Sequence, residues 1–187
     1  MKGIKILLVE DEAVTAMVEQ KQLQNYNYTI EHVLTGEEAV ERICRDKSSY
    51  DCILMDIDLG NGIDGTETAR QILAYKEIPI VFLSSHTEPE IVKKTERISS
   101  YGYVVKDSSI TVLDASIKMA LKLFESKEFY HNTLSSIQDG VWVTDKDDKM
   151  IYFNPSMEHI SGVTAEDVIG LNVITDFPPE TTEHFIK

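Results

Sequence analysis

Basic residues are scarce in this chain. Only 18 Lys and Arg stand against 32 Asp and Glu in 187 residues, a net charge of −14. That deficit argues against a general nucleic-acid binder, which needs basic surface to displace phosphate counterions. It argues equally against a polybasic membrane-surface protein. Long apolar runs are lacking too: none approaches the roughly 18 residues of a membrane span. The N-terminal run MKGIKILLVEDE ends in acids without a small-residue cleavage site, so it reads as a first strand rather than a secretory signal. Cysteine is nearly absent. Cys44 and Cys52 are in no metal-ligand spacing, and both are expected to be reduced, buried thiols of a cytoplasmic protein. Hydrophobic residues make up 42% of the chain, enough for a real core. The length allows one ordinary domain plus a piece of a second.

Residues 1–108 alternate apolar runs with amphipathic segments. Strands are predicted at Ile4–Val9, Tyr28–Val33, Cys52–Met55, Ile78–Leu83 and Gly102–Val105. Helices are predicted at Ala13 to about Gln24, Gly36–Asp46, Gly65–Tyr75 and Glu88–Ile98, with a fifth beginning at Ile110. Strands alternating with helices mean an α/β fold: a parallel sheet with right-handed crossovers and helices on both faces. The fifth helix runs from Ile110 to Gln138 with no Gly or Pro. Leu113, Ile117, Ala120, Phe124 and Leu134 fall on a three-four spacing. Its first half can pack on the sheet; the rest is either a separate short helix after a break or, on the reading favoured here, the continuation of one signalling helix able to pair with a copy of itself. On that reading Phe124, Phe129 and Leu134 lack any other partner.

Charge and chemistry gather at the C-terminal ends of the predicted strands. Glu10 and Asp11 follow strand 1, Asp56 ends strand 3, Ser84 ends strand 4, and Lys106 ends strand 5. In an open sheet of order 2-1-3-4-5 these positions converge where the strand order reverses, between strands 1 and 3. Three close carboxylates repel one another and need a hard cation. An oxygen-lined site of this kind suits Mg²⁺. Asp56 can then act as a carboxylate nucleophile toward a phosphoryl group, with Lys106 as a point cation and Ser84 as a hydroxyl donor to the phosphoryl oxygens.

The stretches ILLVEDE, ILMDIDLGNGIDGTETARQI, PIVFLSSHTE and YGYVVKD resemble the receiver domains of two-component response regulators, of the CheY-like type. The resemblance covers about residues 3–123. It implies a flavodoxin-like, doubly wound sheet, with Asp56 phosphorylated by a sensor histidine kinase or a phosphotransfer protein and only slowly dephosphorylated by the chain itself. It also implies Mg²⁺ held by Glu10, Asp11, Asp56 and the backbone carbonyl of Asp58. Ser84 and Tyr103 would form a switch pair, the hydroxyl moving to the phosphate and the ring turning inward. The first acid is Glu rather than the commoner Asp. Asp107 stands where the family often has Pro, so a cis peptide is not implied there. DIDL is also similar to the nucleophile motif of haloacid-dehalogenase-type phosphatases, but the acidic pair lies upstream rather than downstream of the lysine. The match of DIDLGNGIDGTE to an EF-hand loop fails at Asn61, where the sharp turn needs Gly. His86, two residues after Ser84, is a candidate for tuning water access.

Beyond the helix, DGVWVTD, IYFNPSMEHISG and AEDVIG resemble the first part of a PAS sensor domain. Strands are expected at Val141–Thr144 and Ile151–Phe153, with Trp142 in the strand core. Such a two-strand piece implies part of a longer sensor protein. The expected organisation is a receiver at 1–123, a linker helix at 124–138 and the N-terminal part of a PAS domain at 139–187. The function expected is phosphorelay signal transduction, with a weak homodimer through helix 4, strand 5, helix 5 and the linker helix. Two alternatives are a fragment of a hybrid sensor histidine kinase, or a PAS ligand sensor whose receiver serves dimerisation.

Overall fold

Five short apolar runs become the strands β1 (Lys5–Val9), β2 (Thr29–Val33), β3 (Cys52–Asp56), β4 (Ile80–Ser84) and β5 (Gly102–Val105). In the computed structural model, which describes residues 3–45, 50–85, 95, 98 and 101–177, they form one sheet in the order β2-β1-β3-β4-β5. Every neighbouring pair is parallel. Runs without polar alternation suit such a sheet because both of its faces are covered. Leu7, Val9, Ile53, Met55, Ile80 and Phe82 pack on one face with Ala39 and Ile43 of α2 (Gly36–Arg45) and Ala69 and Ile72 of α3 (Gly65–Tyr75). Ile6, Leu8, Leu54, Val81 and Leu83 pack on the other with Ala16 and Leu23 of α1 (Ala13–Gln24). Leu113, Ile117 and Ala120 of the long helix Ile110–Ser136 complete that second face.

The chain divides into two compact units, Met1–Glu125 and Ser126–Lys187. The long helix is continuous across residues 110–136 and stops two residues before the expected Gln138. Phe124 does have a partner: its ring meets Tyr101 edge-on with centroids 5.7 Å apart. Phe129, by contrast, is 67% exposed. Leu134 is half-buried within the second unit, so only Phe129 of the expected pairing trio is exposed, its ring meeting that of the neighbouring Tyr130 edge-on. Cys52 is buried, but Cys44 is exposed. The buried face of α2 runs through Gly36, Ala39 and Ile43, and the next residue turns away from it. The expected fourth helix, Glu88–Ile98, lies outside the described residues except for Thr95 and Ile98, both buried.

The second unit carries a hairpin of β6 (Trp142–Thr144) and β7 (Met150–Phe153), then helices at Pro155–Ser161 and Ala165–Val168. A lone hairpin is marginal in water. This one is buttressed by a buried cluster of Met150, Phe153, Val168 and Val173, against which half-buried Trp142, Met157, Ala165 and Phe177 pack. Among the described residues no helix is long and apolar enough to cross a membrane.

Candidate functional site

The register of the ladder brings four strand ends level. Val9 pairs with Met55, Asp56 with Leu83, and Ser84 with Val105. Glu10, Asp56, Ser84 and Lys106 therefore end up side by side beyond the sheet, beside the place where the strand order reverses. Glu10 is 1% and Asp56 2% exposed, whereas Asp11 is exposed at the rim. One carboxylate oxygen from each of the three lies within 4.8 Å of the others.

Helix α3 starts hard against this edge. A β-carbon on Gly65 would lie 1.9 Å from the Asp56 carbonyl oxygen, so only glycine fits. Asp64 caps the helix, accepting from the Glu67 N–H at 2.8 Å. The loop between β3 and α3 folds back onto the acids. The Gly60 N–H donates to Asp11 Oδ2 at 3.0 Å, and the Asp58 N–H to Asp56 Oδ1 at 3.2 Å.

Lys106 bridges the two buried acids, its Nζ lying 2.6 Å from Glu10 Oε2 and 2.8 Å from Asp56 Oδ2. One cation thus faces two buried carboxylates, and the exposed Asp11 adds a third negative charge. The protonation tendencies follow from that imbalance. Burial pushes the Glu10 carboxyl up and outweighs the lowering by its hydrogen bond to Lys106, while the charge of Asp56 adds to the rise. Burial alone would lower the Lys106 ammonium. Its hydrogen bonds to Asp56 and Glu10 overcome that, and its net direction is upward. An ion pair by itself would move Glu10 down; burial and a second carboxylate decide otherwise.

Two further side chains belong to the site's surroundings. Glu19, on the α1 face that also buries Ala16 and Leu23, has the one buried side-chain oxygen among the described residues without a hydrogen-bond partner. Burial, then repulsion from Glu10, pushes its carboxyl up to about 7. His32, near the end of β2, lies with Nε2 2.7 Å from the Glu10 carbonyl oxygen. A carbonyl can only accept, so Nε2 carries the proton. The three-four spacing Ala16–Glu19–Leu23 puts that acid on one face of α1, but Val14, Met17 and Val18 are exposed on the same helix, so no apolar stripe marked it in the sequence. Nothing local to β2 marks His32.

The remaining expected site residues lie as follows. Ser84 is fully buried at the end of β4. Tyr103 on β5 is half-buried and packs against the α2–α3 side of the core. Asp58 is exposed, and its N–H rather than its carbonyl makes the contact with Asp56. Asp107 is exposed, and the described peptides are all trans. His86 lies outside the described residues.

The donor set is all oxygen and clustered, and its three carboxylates against one ammonium leave it two positive charges short. That composition fits a small hard dication such as Mg²⁺.

Comparison with known proteins gives the same organisation. The family model described as the response regulator receiver domain matches residues 6–118, and the model of the PAS fold matches residues 128–186. The chain is 29% identical over 127 residues to the transcriptional regulatory protein ResD of Bacillus subtilis, covering 68% of this chain and 52% of that protein. It is 30% identical over 121 residues to PdtaR of Mycobacterium tuberculosis, covering 64% of this chain and 58% of that one. The chain thus spans about half the length of these relatives. Among solved structures, the N-terminal domain of a response regulator/sensory box/GGDEF 3-domain protein from Carboxydothermus hydrogenoformans is 46% identical. Its TM-score is 0.61, and the match covers 66% of this chain and 98% of that one. The signal receiver domain of a modulated diguanylate cyclase from Desulfovibrio desulfuricans G20 is 33% identical with a TM-score of 0.59, covering 66% of this chain and 97% of that one.

Proposed function

The chain belongs to the response regulator receiver domain family, and on that premise we propose that it is a phosphoryl-accepting module of a phosphorelay with Asp56 as the acceptor. The observation that carries this reading is the placement of a buried Asp56 at a strand end, within hydrogen-bonding reach of Lys106 and clustered with Glu10 and Asp11. Glu10, Asp11, Asp56 and the Asp58 carbonyl would hold Mg²⁺, which when bound offsets charge on the transferring oxygens. An Asp56 carboxylate oxygen attacks the phosphorus of a donor phosphohistidine. The P–N bond breaks, and its electron pair returns to the imidazole nitrogen. Lys106, already on Asp56, supplies its ammonium to a phosphoryl oxygen. Ser84 donates its hydroxyl to another, and Tyr103 moves further into the space this opens.

The donor is a sensor histidine kinase or a phosphotransfer protein, met in the cytoplasm. The receiver occupies residues 1–123 and the first part of a PAS domain 139–187, joined by a linker whose helix ends at Ser136. A weak homodimer through β5 and the long helix, favoured by phosphorylation, accompanies the phosphorylated state; sedimentation with and without acetyl phosphate reads it. The central test is incubation with acetyl phosphate and Mg²⁺ followed by intact mass. The wild-type chain gains one phosphoryl group and Asp56→Asn none. Full modification of Asp56→Asn would sink the assignment.

A further inference from the structure

One side chain, Asn154, ties the last turns of the long helix to the junction between β7 and helix Pro155–Ser161. It is fully buried. Its Oδ1 accepts from the Val141 N–H at 2.8 Å and from the Met157 N–H at 2.9 Å, the second bond capping the helix that follows. Its Nδ2 points at three carbonyls, those of Leu134 (3.3 Å), Ile137 (3.3 Å) and Asp139 (3.0 Å). The amide orientation is forced, since N–H groups cannot accept and carbonyls cannot donate. The flanking residues act alongside it. Ser156 Oγ donates to the Ile137 carbonyl at 2.7 Å, and Tyr152 OH lies 3.1 Å from Ser135 Oγ. The Tyr152 ring also meets the His131 ring edge-on at 6.0 Å.

Residues 152, 154 and 156 therefore grip the helix end at successive levels. The last carbonyls of a helix have no intrahelical donor, and here a buried amide supplies part of what they lack. Separating the helix end from this junction would strand buried polar groups on both sides, which opposes any motion of one without the other. The same helix buries Leu113, Ile117 and Ala120 at its start, in the first unit's core.

We propose that Asn154 is a mechanical joint that makes the end of the long helix and the β7 junction move as one piece. A displacement of the helix is thereby delivered to the hairpin, and a change in the hairpin to the helix. The joint stands on this geometry alone; its use as a relay rests on the phosphoacceptor reading of Asp56.

Hydrogen exchange on the full chain tests it, expressed as protection factors. Asn154→Ser and Asn154→Asp both keep an oxygen acceptor for the Met157 N–H and remove the amide Nδ2 that faces the helix end, the serine hydroxyl being too short to replace it. Both are expected to lower protection of the Thr133–Ile137 amides tenfold or more while leaving the amides of Met150 and Val173, which donate to the Leu171 and Asp148 carbonyls, protected. The Asp variant should lose more at neutral pH, where its carboxylate faces carbonyls, and regain part in acid, where a protonated carboxyl donates again. Helix-end protection equal to wild type in both variants overturns the joint. If both variants lose protection throughout the second unit, Ser156→Ala decides. A several-fold loss confined to the helix end supports the joint, and no loss there overturns it.

For the relay, wild type is treated with acetyl phosphate and Mg²⁺. It should change protection on both sides of the joint, and Asn154→Ser only on the helix side. No change in a wild-type chain that carries the phosphoryl mass, or equal transfer in the variant, overturns the relay. Absence of that mass counts against the Asp56 reading instead, and the unphosphorylated variants still decide the joint.

Discussion

The two units of this chain hold themselves together by different means. In the first, β3 and β4 are buried along their whole length between two helical layers. In the second, four apolar side chains are buried among the described residues, and much of the order comes from polar side chains gripping backbone. Asp145 Oδ1 accepts from the Asp147 and Lys149 N–H groups across the hairpin turn, at 2.9 and 3.0 Å. Asn172 Oδ1 accepts from the Ile174 and Thr175 N–H groups, and its Nδ2 donates to the Asp147 carbonyl. The difference bears on function. Strands packed on both faces are stiff enough to hold like charges together at their ends. A unit pinned by a few polar bonds is suited to shifting, because each bond contributes only about 1 kcal/mol net.

The sharpest break of this comparison removes the cation from the stiff unit. Lys106→Met leaves Glu10 and Asp56 buried and uncompensated, and should cost about 3–5 kcal/mol in metal-free buffer. Mg²⁺ should restore much of that, because Lys106 pairs with the acids rather than with a metal. Urea titrations with and without Mg²⁺ measure it; a loss that Mg²⁺ leaves untouched would refute the charge argument.

Next come the cores. Leu54 lies fully buried in the central strand, so Leu54→Ala should destabilise the first unit by about 2–5 kcal/mol. Val168→Ala in the second unit should cost roughly half as much, since fewer layers surround it. Trp142, the sole tryptophan, packs on that smaller cluster and reports its unfolding by fluorescence. Equal effects of the two substitutions would erase the contrast between the units.

Asp11→Ala should change metal-free stability by less than about 0.5 kcal/mol, as for other exposed positions. It should nevertheless abolish the rise in melting temperature that Mg²⁺ is expected to give the wild-type chain by mass action. A Mg²⁺ response that survives this substitution would move the metal elsewhere.

The last expected effect concerns pH. The Glu19 carboxyl sits at about 7 in the folded chain against an ordinary value of 4.5. The folded state therefore holds that proton more tightly than the unfolded one. The resulting stability is complete below pH 4.5 and is lost as pH rises to about 7. Glu19→Gln keeps the shape and removes the titration, so its stability should fall less across that window. Parallel curves for the two proteins would mean that Glu19 is ionised throughout.

Much of this molecule could be read along the chain. The bounds of α1 and α3 agree with the expected Ala13–Gln24 and Gly65–Tyr75. β5 agrees with Gly102–Val105, and the parallel pairing follows from the alternation of strand and helix, whereas the order β2-β1-β3-β4-β5 is the one the receiver resemblance implied. Such features are local, because an apolar run or a three-four spacing is a property of neighbouring residues. Once the strands are known, Glu10, Asp56, Ser84 and Lys106 must lie at one edge, since parallel strands all end on the same side. Partners across space were decided only by the tertiary structure. The bridge from Lys106 to both Glu10 and Asp56 joins residues 96 and 50 positions apart. The contact of Phe124 with Tyr101, the hold of His32 on the Glu10 carbonyl and the grip of Asn154 on the helix end are of the same kind. Spacing along a chain says which face a side chain takes; which atoms meet it there depends on how separate elements pack, and that is set by the whole core at once.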